Sequence, residues 1–123
     1  MMSDTPKPMS VLIVEDESLI AINLEMILED LGYAVIGPVM TLRDLDKMLS
    51  GDFRADAAIL DVNIAGERIF PYARRLDQLG IPLVFASGYG ASGLSDDLAH
   101  HPVVAKPYTE QDIAGMLGRI CPA

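Results

Sequence analysis

Five short apolar segments, separated by stretches of helical periodicity, constrain the fold of this chain more than any other feature of its sequence. The first, third and fourth are apolar throughout rather than at alternate positions, which is typical of parallel strands buried on both faces. Helices must then cover both sides of the sheet. The predicted strands are 10–14, 34–36, 57–60, 83–86 and 103–105.

Between these strands, apolar residues recur with the spacing of an α-helix, and local signals mark where the helices begin or end. Two threonine–aspartate pairs are capping boxes that open the second and fifth helices, and a glycine follows the first and the third. These signals are Thr41 with Asp44, Thr109 with Asp112, Gly32 and Gly80.

The fourth helical segment, residues 91–99, has the weakest helix propensity because it contains serine and glycine, and we expect it to be mobile. Strict alternation of strands and helices with short connections predicts an α/β fold with right-handed crossovers. In such folds, ligands bind beyond the carboxyl ends of the strands. The residues at those ends are therefore the candidates for function.

Length and charge limit the class of protein. A chain of 123 residues suits one domain, and its net charge of −9 does not suit direct nucleic-acid binding. No apolar run approaches the roughly 18 residues of a membrane span, and the start of the chain lacks a secretory signal. The single Cys121 suits a reducing cytoplasm. We predict a flexible lead-in over 1–9 and one cytoplasmic domain over 10–121, with no output domain.

Polar residues that could form one functional site together follow four of the predicted strands. Glu15 and Asp16 follow the first strand, Asp61 the third, Ser87 the fourth and Lys106 the fifth. Because the carboxyl ends of parallel strands meet at one edge, we expect these residues to lie close together. Three carboxylates there would repel each other unless a cation neutralised them, and Mg²⁺ prefers such oxygen ligands.

Each of these residues taken alone has a simpler explanation. The acidic pair could be a solvated loop or a helix cap, Asp61 a turn former and Ser87 a loop hydroxyl. Lys106 makes the combination more specific, because it offers a counter-ion at the end of another strand. His100 and His101 are expected to be solvent-facing loop residues without a metal role.

Four predicted strands and the residues that follow them have the sequences Val-Leu-Ile-Val-Glu-Asp at 11–16, Ile-Leu-Asp at 59–61, Phe-Ala-Ser-Gly at 85–88 and Ala-Lys-Pro at 105–107. With the intervals between them, these segments resemble the motifs of response-regulator receiver domains over nearly the whole chain. The resemblance implies a flavodoxin-like, three-layer (βα)5 fold with a five-stranded parallel sheet in the order 2-1-3-4-5. Residues 85–90 resemble the FAT GUY subgroup of receivers, with Ser87 in place of its usual threonine.

The resemblance also implies a role for each site residue. Asp61 would accept a phosphoryl group from a kinase phosphohistidine, while Lys106 and Ser87 would contact the phosphoryl oxygens. The peptide bond between Lys106 and Pro107 would be cis. Glu15 would act on the metal directly or through water. The implied Mg²⁺ ligands are Glu15, Asp16, Asp61 and the backbone carbonyl of Asn63.

Two departures from the family pattern affect what the resemblance implies. Val103 stands where a receiver usually has an aromatic residue, so we predict that Tyr89, in the loop 87–95, acts as the switch instead. The alternative is that Tyr89 is a fixed surface aromatic. The segment after Asp61 lacks the proline found soon after the acceptor in many receivers.

By the same resemblance, the chain is a signalling domain rather than an enzyme. Its partners would be a sensor histidine kinase or histidine phosphotransfer protein and an unidentified downstream protein, with no nucleic-acid or membrane contact; dimerisation is left open. One alternative is a Mg²⁺-dependent phosphohydrolase of the aspartyl-phosphate type, which fits less well because Asn63 replaces a common second aspartate. Another is a degenerate receiver that only binds partners, against which the intact set of Asp16, Asp61, Ser87 and Lys106 argues.

Overall fold

A parallel five-stranded sheet forms the centre of the molecule in the computed structural model, which describes residues 8–88 and 94–120. The strands are β1 (Ser10–Val14), β2 (Ala34–Val39), β3 (Ala57–Asp61), β4 (Asn63–Ile64), β5 (Glu67–Arg68), β6 (Leu83–Ser87) and β7 (Val103–Ala105). The helices are α1 (Ser18–Asp30), α2 (Leu42–Leu49), α3 (Phe70–Gln78) and α4 (Glu110–Ile120), with a 3₁₀ turn at Asp96–Leu98.

The main sheet has the order β2-β1-β3-β6-β7, and β4 and β5 form a separate antiparallel hairpin. This order differs from the predicted 2-1-3-4-5 because the sequence pattern did not reveal the two-residue strands β4 and β5. When only the strands of the main sheet are counted, the two orders agree. All four pairings in the main sheet are parallel, so the predicted α/β class is confirmed.

Side chains that alternate along each strand enter two separate hydrophobic clusters, one on each face of the sheet. Leu12 belongs to the cluster that contains Leu76 of α3, whereas Ile13 belongs to the one that contains Leu28 of α1 and Leu117 of α4. Burial on both faces explains why β1, β3 and β6 are apolar except for one polar residue at an end of each strand. The result is the predicted three-layer arrangement.

The predicted capping box at α4 has both of its hydrogen bonds, and the one at α2 shows the bond to the threonine hydroxyl. At the start of α4, Thr109 N–H donates to Asp112 Oδ2 at 2.9 Å, and Asp112 N–H donates to Thr109 Oγ1 at 3.1 Å. At the start of α2, Asp44 N–H donates to Thr41 Oγ1 at 3.1 Å. These bonds satisfy backbone groups that a helix terminus otherwise leaves without partners.

Replacing Thr109 with alanine should lower the free energy of unfolding by about 1 kcal/mol, because it removes the acceptor for the Asp112 N–H. Thr109→Ser is the matched control, since serine keeps the hydroxyl and should retain most of the stability. Urea denaturation of the three proteins measures the difference. Equal stability of Thr109→Ala and the wild type would show that the box contributes nothing.

The fourth helical segment is the least regular part of the predicted fold. Of the predicted range 91–99, residues 91–93 lie outside the described residues, and the remainder forms only the 3₁₀ turn Asp96–Leu98. The low helix propensity of this stretch agrees with the absence of an α-helix over 94–99. None of the helices within 8–88 and 94–120 combines the length and hydrophobicity needed to span a membrane.

Candidate functional site

The residues that the sequence placed at the carboxyl edge of the sheet do meet there. Glu15 follows β1, Asp61 ends β3 and Ser87 ends β6, and all three are buried despite being polar. Lys106 follows β7, and Asp16, beside Glu15, is partly exposed. Burying polar groups costs free energy unless they are paired, so their contacts decide how the edge is stabilised.

Lys106 joins two of the buried carboxylates. Its Nζ lies 2.8 Å from Glu15 Oε2 and 3.0 Å from Asp61 Oδ2, and its side chain is 15% exposed. Burial opposes the charge on this amine, but the bonds to Glu15 and Asp61 outweigh burial and raise the pKa of Lys106. The lysine therefore stays protonated between the two acids.

Negative charge at this edge exceeds what one lysine can neutralise. Burial, together with the nearby Asp61, raises the pKa of Glu15 to about 7, although the bond from Lys106 acts in the opposite direction. Glu15 Oε1 also accepts a hydrogen bond from the Glu17 N–H at 3.1 Å. A second cation would relieve this excess of negative charge.

The hairpin β4–β5 lies against the acidic edge, which is formed by Glu15, Asp16 and Asp61. The sequence did not predict this hairpin. Its two turn residues, Ala65 and Gly66, have φ of 51° and 87°, which fits the two-residue hairpin turn that needs positive φ at both positions. Ala65 N–H donates to Asp16 Oδ2 at 2.8 Å. Asp16 thus has a fixed position although it is partly exposed.

Asn63 contributes through its backbone. Its N–H donates to Asp61 Oδ1 at 3.3 Å, while its side chain is exposed. Ile69 N–H donates to the Val62 carbonyl at 2.9 Å, so Asn63 and Arg68 occupy the non-hydrogen-bonded position of the hairpin. The Asn63 carbonyl therefore makes no hydrogen bond to β5 within the hairpin. It lies on the same side of the strand as the Asn63 N–H, which donates to Asp61.

The three carboxylates are close enough to share one cation. One oxygen each from Glu15, Asp16 and Asp61 lie within 4.8 Å of one another. Mg²⁺ is usually held by one or two carboxylates plus carbonyl or water oxygens, and it retains several waters. The donor set and its excess of negative charge fit this ion.

The neighbouring ends of β6 and β7 are joined by their backbones. Ser87 is paired with Ala105, and Lys106 N–H donates to the Ser87 carbonyl at 3.1 Å. The peptide bond between Lys106 and Pro107 is cis, so this prediction is confirmed. Tyr89, the predicted switch residue, lies outside the described residues.

Tyr108 is a neighbour of the site that sequence reasoning missed. Its hydroxyl is buried and has no hydrogen-bond partner among residues 8–88 and 94–120. Burial, followed by the negative charges of Glu15 and Asp61, raises the pKa of this phenol. The only sequence signal was its position two residues after Lys106.

The expectation for the histidines is wrong for His101. Its side chain is only 11% exposed, and its ring contacts Phe85 edge-on with centroids 6.0 Å apart. His101 Nε2 lies 3.1 Å from Asp77 Oδ1. His100 is exposed, as expected. The apolar contact with Phe85 comes from tertiary packing, which the local sequence does not show.

Comparison with known proteins gives relatives over most of the chain, although no family model matches it. SdrG from Sphingomonas melonis Fr1 is 38% identical with a TM-score of 0.76, and the match covers 94% of this chain and 98% of SdrG. The Erythrobacter litoralis PhyR response regulator REC domain is 25% identical with a TM-score of 0.77, covering 92% of this chain and 89% of that domain.

A curated relative is longer than this chain. The phyllosphere-induced regulator PhyR of Methylorubrum extorquens is 27% identical over 112 residues, which are 89% of this chain. The match spans only 42% of that protein. The similarity therefore concerns one part of the longer regulator.

Proposed function

The chain belongs to the response-regulator receiver family, and on that premise we propose that Asp61 accepts a phosphoryl group from a phosphohistidine. The donor would be a sensor histidine kinase or a histidine phosphotransfer protein. The observation that carries the proposal is the placement of Asp61, a buried carboxylate 3.0 Å from Lys106 Nζ and next to two further acids. The output would be a changed binding surface rather than turnover of a substrate.

The contacts of Asp61 suit a nucleophile that has to be aligned. Oδ2 pairs with Lys106 and Oδ1 accepts the Asn63 N–H, so both oxygens are oriented before a donor arrives. In the transfer, a carboxylate oxygen forms a bond to phosphorus while the bond from phosphorus to the histidine nitrogen breaks, and the freed imidazole takes up a proton. Such transfers depend mainly on positioning and on stabilising the phosphoryl charge.

Four groups would hold the metal ion: the carboxylates of Glu15, Asp16 and Asp61 and the Asn63 carbonyl. When bound, Mg²⁺ would neutralise charge on the phosphoryl oxygens. Glu15 is the most buried of these acids, which suits an indirect role through water as well as a direct one. Because Asp16 accepts a hydrogen bond from the Ala65 N–H, metal binding at Asp16 would also affect the position of the hairpin β4–β5.

After transfer, Lys106 would pair with a phosphoryl oxygen and the Ser87 hydroxyl would donate to another. Because the Lys106 N–H already donates to the Ser87 carbonyl, a displacement of one residue would also displace the other. We propose that the loop 87–95, including Tyr89, carries this change onward. The carboxyl-terminal end of the loop contacts α3, because Arg74 Nη2 donates to Ser95 Oγ at 3.3 Å. Arg74 Nε also donates to Oδ2 of the nearby Asp97 at 2.7 Å.

Lys106→Met should lower the free energy of unfolding by about 2 kcal/mol in a chelating buffer, because Glu15 and Asp61 lose their shared counter-ion. Saturating Mg²⁺ should restore much of the loss. Urea denaturation with EDTA or with Mg²⁺ measures both effects. Lys47→Met is the matched control, because Lys47 is exposed on α2 and should show no such dependence. The same stability of the two variants in EDTA would contradict the role given to Lys106.

Intact-mass measurement after incubation with acetyl phosphate tests the proposed function. With Mg²⁺ the chain should gain one base-labile phosphoryl group, and with EDTA it should gain none. An unmodified chain in Mg²⁺ would favour the degenerate receiver that only binds partners. Sustained release of phosphate from p-nitrophenyl phosphate would favour the phosphohydrolase. Either result would overturn the proposal.

A further inference from the structure

A second group of side chains that could bind a metal ion lies away from the acidic edge. His100 and His101 precede β7, on its amino-terminal side, and Asp77 lies in the last turn of α3. One ligand atom from each of the three residues lies within 4.8 Å of the other two. The cluster shares no residue with the acidic edge.

The His101 ring is held before any ligand arrives. Phe85 packs against it edge-on, and the His100 ring lies beside it with centroids 4.0 Å apart and an interplanar angle of 38°. Its Nε2 approaches Asp77 Oδ1 at 3.1 Å. Little rearrangement is therefore needed to bring two ring nitrogens and a carboxylate oxygen around one ion.

We propose that Asp77, His100 and His101 bind one Zn²⁺ ion. Imidazole suits zinc and its first-row neighbours, and two histidines with one carboxylate are a known ligand set that leaves a fourth position for water. Mg²⁺ prefers an all-oxygen set, so the two sites select different ions. The chain's net charge of −9 adds a general attraction for cations.

Zinc at this site would have a structural consequence. It would strengthen the link that His101 with Asp77 makes between α3 and the segment before β7, beside the 3₁₀ turn that the pair of Arg74 with Asp97 connects to α3. The ion would thus reinforce the contacts of α3 near the far end of the loop 87–95. Its binding does not require phosphorylation of Asp61.

Calorimetric and NMR titration with ZnCl₂, in excess Mg²⁺ to occupy the acidic edge, tests this proposal. One Zn²⁺ should bind per chain, and the ring resonances of His100 and His101 should shift together. His100→Gln and Asp77→Asn should each weaken binding at least about tenfold. Both residues are exposed, and circular dichroism establishes that the variants are folded.

Two control variants separate this site from other sources of zinc affinity. Asp46→Asn removes an exposed carboxylate of α2 and should leave zinc affinity unchanged, as should Cys121→Ser. Binding that appears only at millimolar Zn²⁺, that survives both ligand variants, or that disappears in Cys121→Ser would overturn the proposal.

Discussion

Asp61→Asn is expected to abolish phosphoryl transfer to the chain, with a rate loss on the order of 10⁴-fold or more. Asparagine has nearly the same size, so the buried end of β3 should keep its packing. Its amide oxygen is a poor nucleophile, and the site loses the charge that pairs with Lys106. The rate of phosphate incorporation from acetyl phosphate in Mg²⁺ measures the effect.

A matched aspartate controls for the loss of one charge. Asp52→Asn changes an exposed residue that precedes β3, and it should incorporate phosphate at the rate of the wild type. Circular dichroism of both variants shows whether they are folded. Continued phosphorylation of a folded Asp61→Asn protein would mean that another residue is the acceptor.

Asp16→Asn is expected to weaken Mg²⁺ binding at least about tenfold, because it removes both a ligand and a negative charge from the acidic edge. The substitution isolates the metal role, since the asparagine oxygen can still accept the hydrogen bond from the Ala65 N–H. The hairpin should therefore stay in place. Titration with Mg²⁺, followed by backbone NMR, gives the affinity and reports on the hairpin in the same experiment.

Glu29→Gln is the control for this experiment, because it removes an exposed negative charge near the far end of α1. Its Mg²⁺ affinity should match that of the wild type. If the two variants lose affinity equally, the effect is one of general charge and Asp16 is not a ligand.

The fold could be predicted largely because burial on two faces leaves an unambiguous pattern. Each of the strands β1, β3 and β6 is apolar except for one polar residue at its end, and the capping boxes at Thr41 and Thr109 mark helix starts locally. The hairpin β4–β5 could not be predicted, because its strands have two residues each and its turn places Ala65 at positive φ. A left-handed conformation is unusual for alanine, so the local sequence did not predict this turn.

The positions of the site residues followed from topology, because parallel strands bring their carboxyl ends to one edge. What topology could not give are contacts that depend on packing, such as the Ala65 N–H on Asp16, the buried hydroxyl of Tyr108 and the pair of His101 with Asp77. The FAT GUY assignment and the role of Tyr89 stay predictions, since residues 89–93 lie outside the described part of the chain.

Borohydride trapping tests the central claim most directly, because it locates the phosphoryl group in the unaltered protein. Borohydride reduces an aspartyl phosphate to homoserine, which peptide mass spectrometry then assigns to a position. After incubation with acetyl phosphate and Mg²⁺, homoserine should appear at position 61 and at no other aspartate. Homoserine at a different position, or a phosphoryl group that resists borohydride because it sits on serine or histidine, would contradict the account.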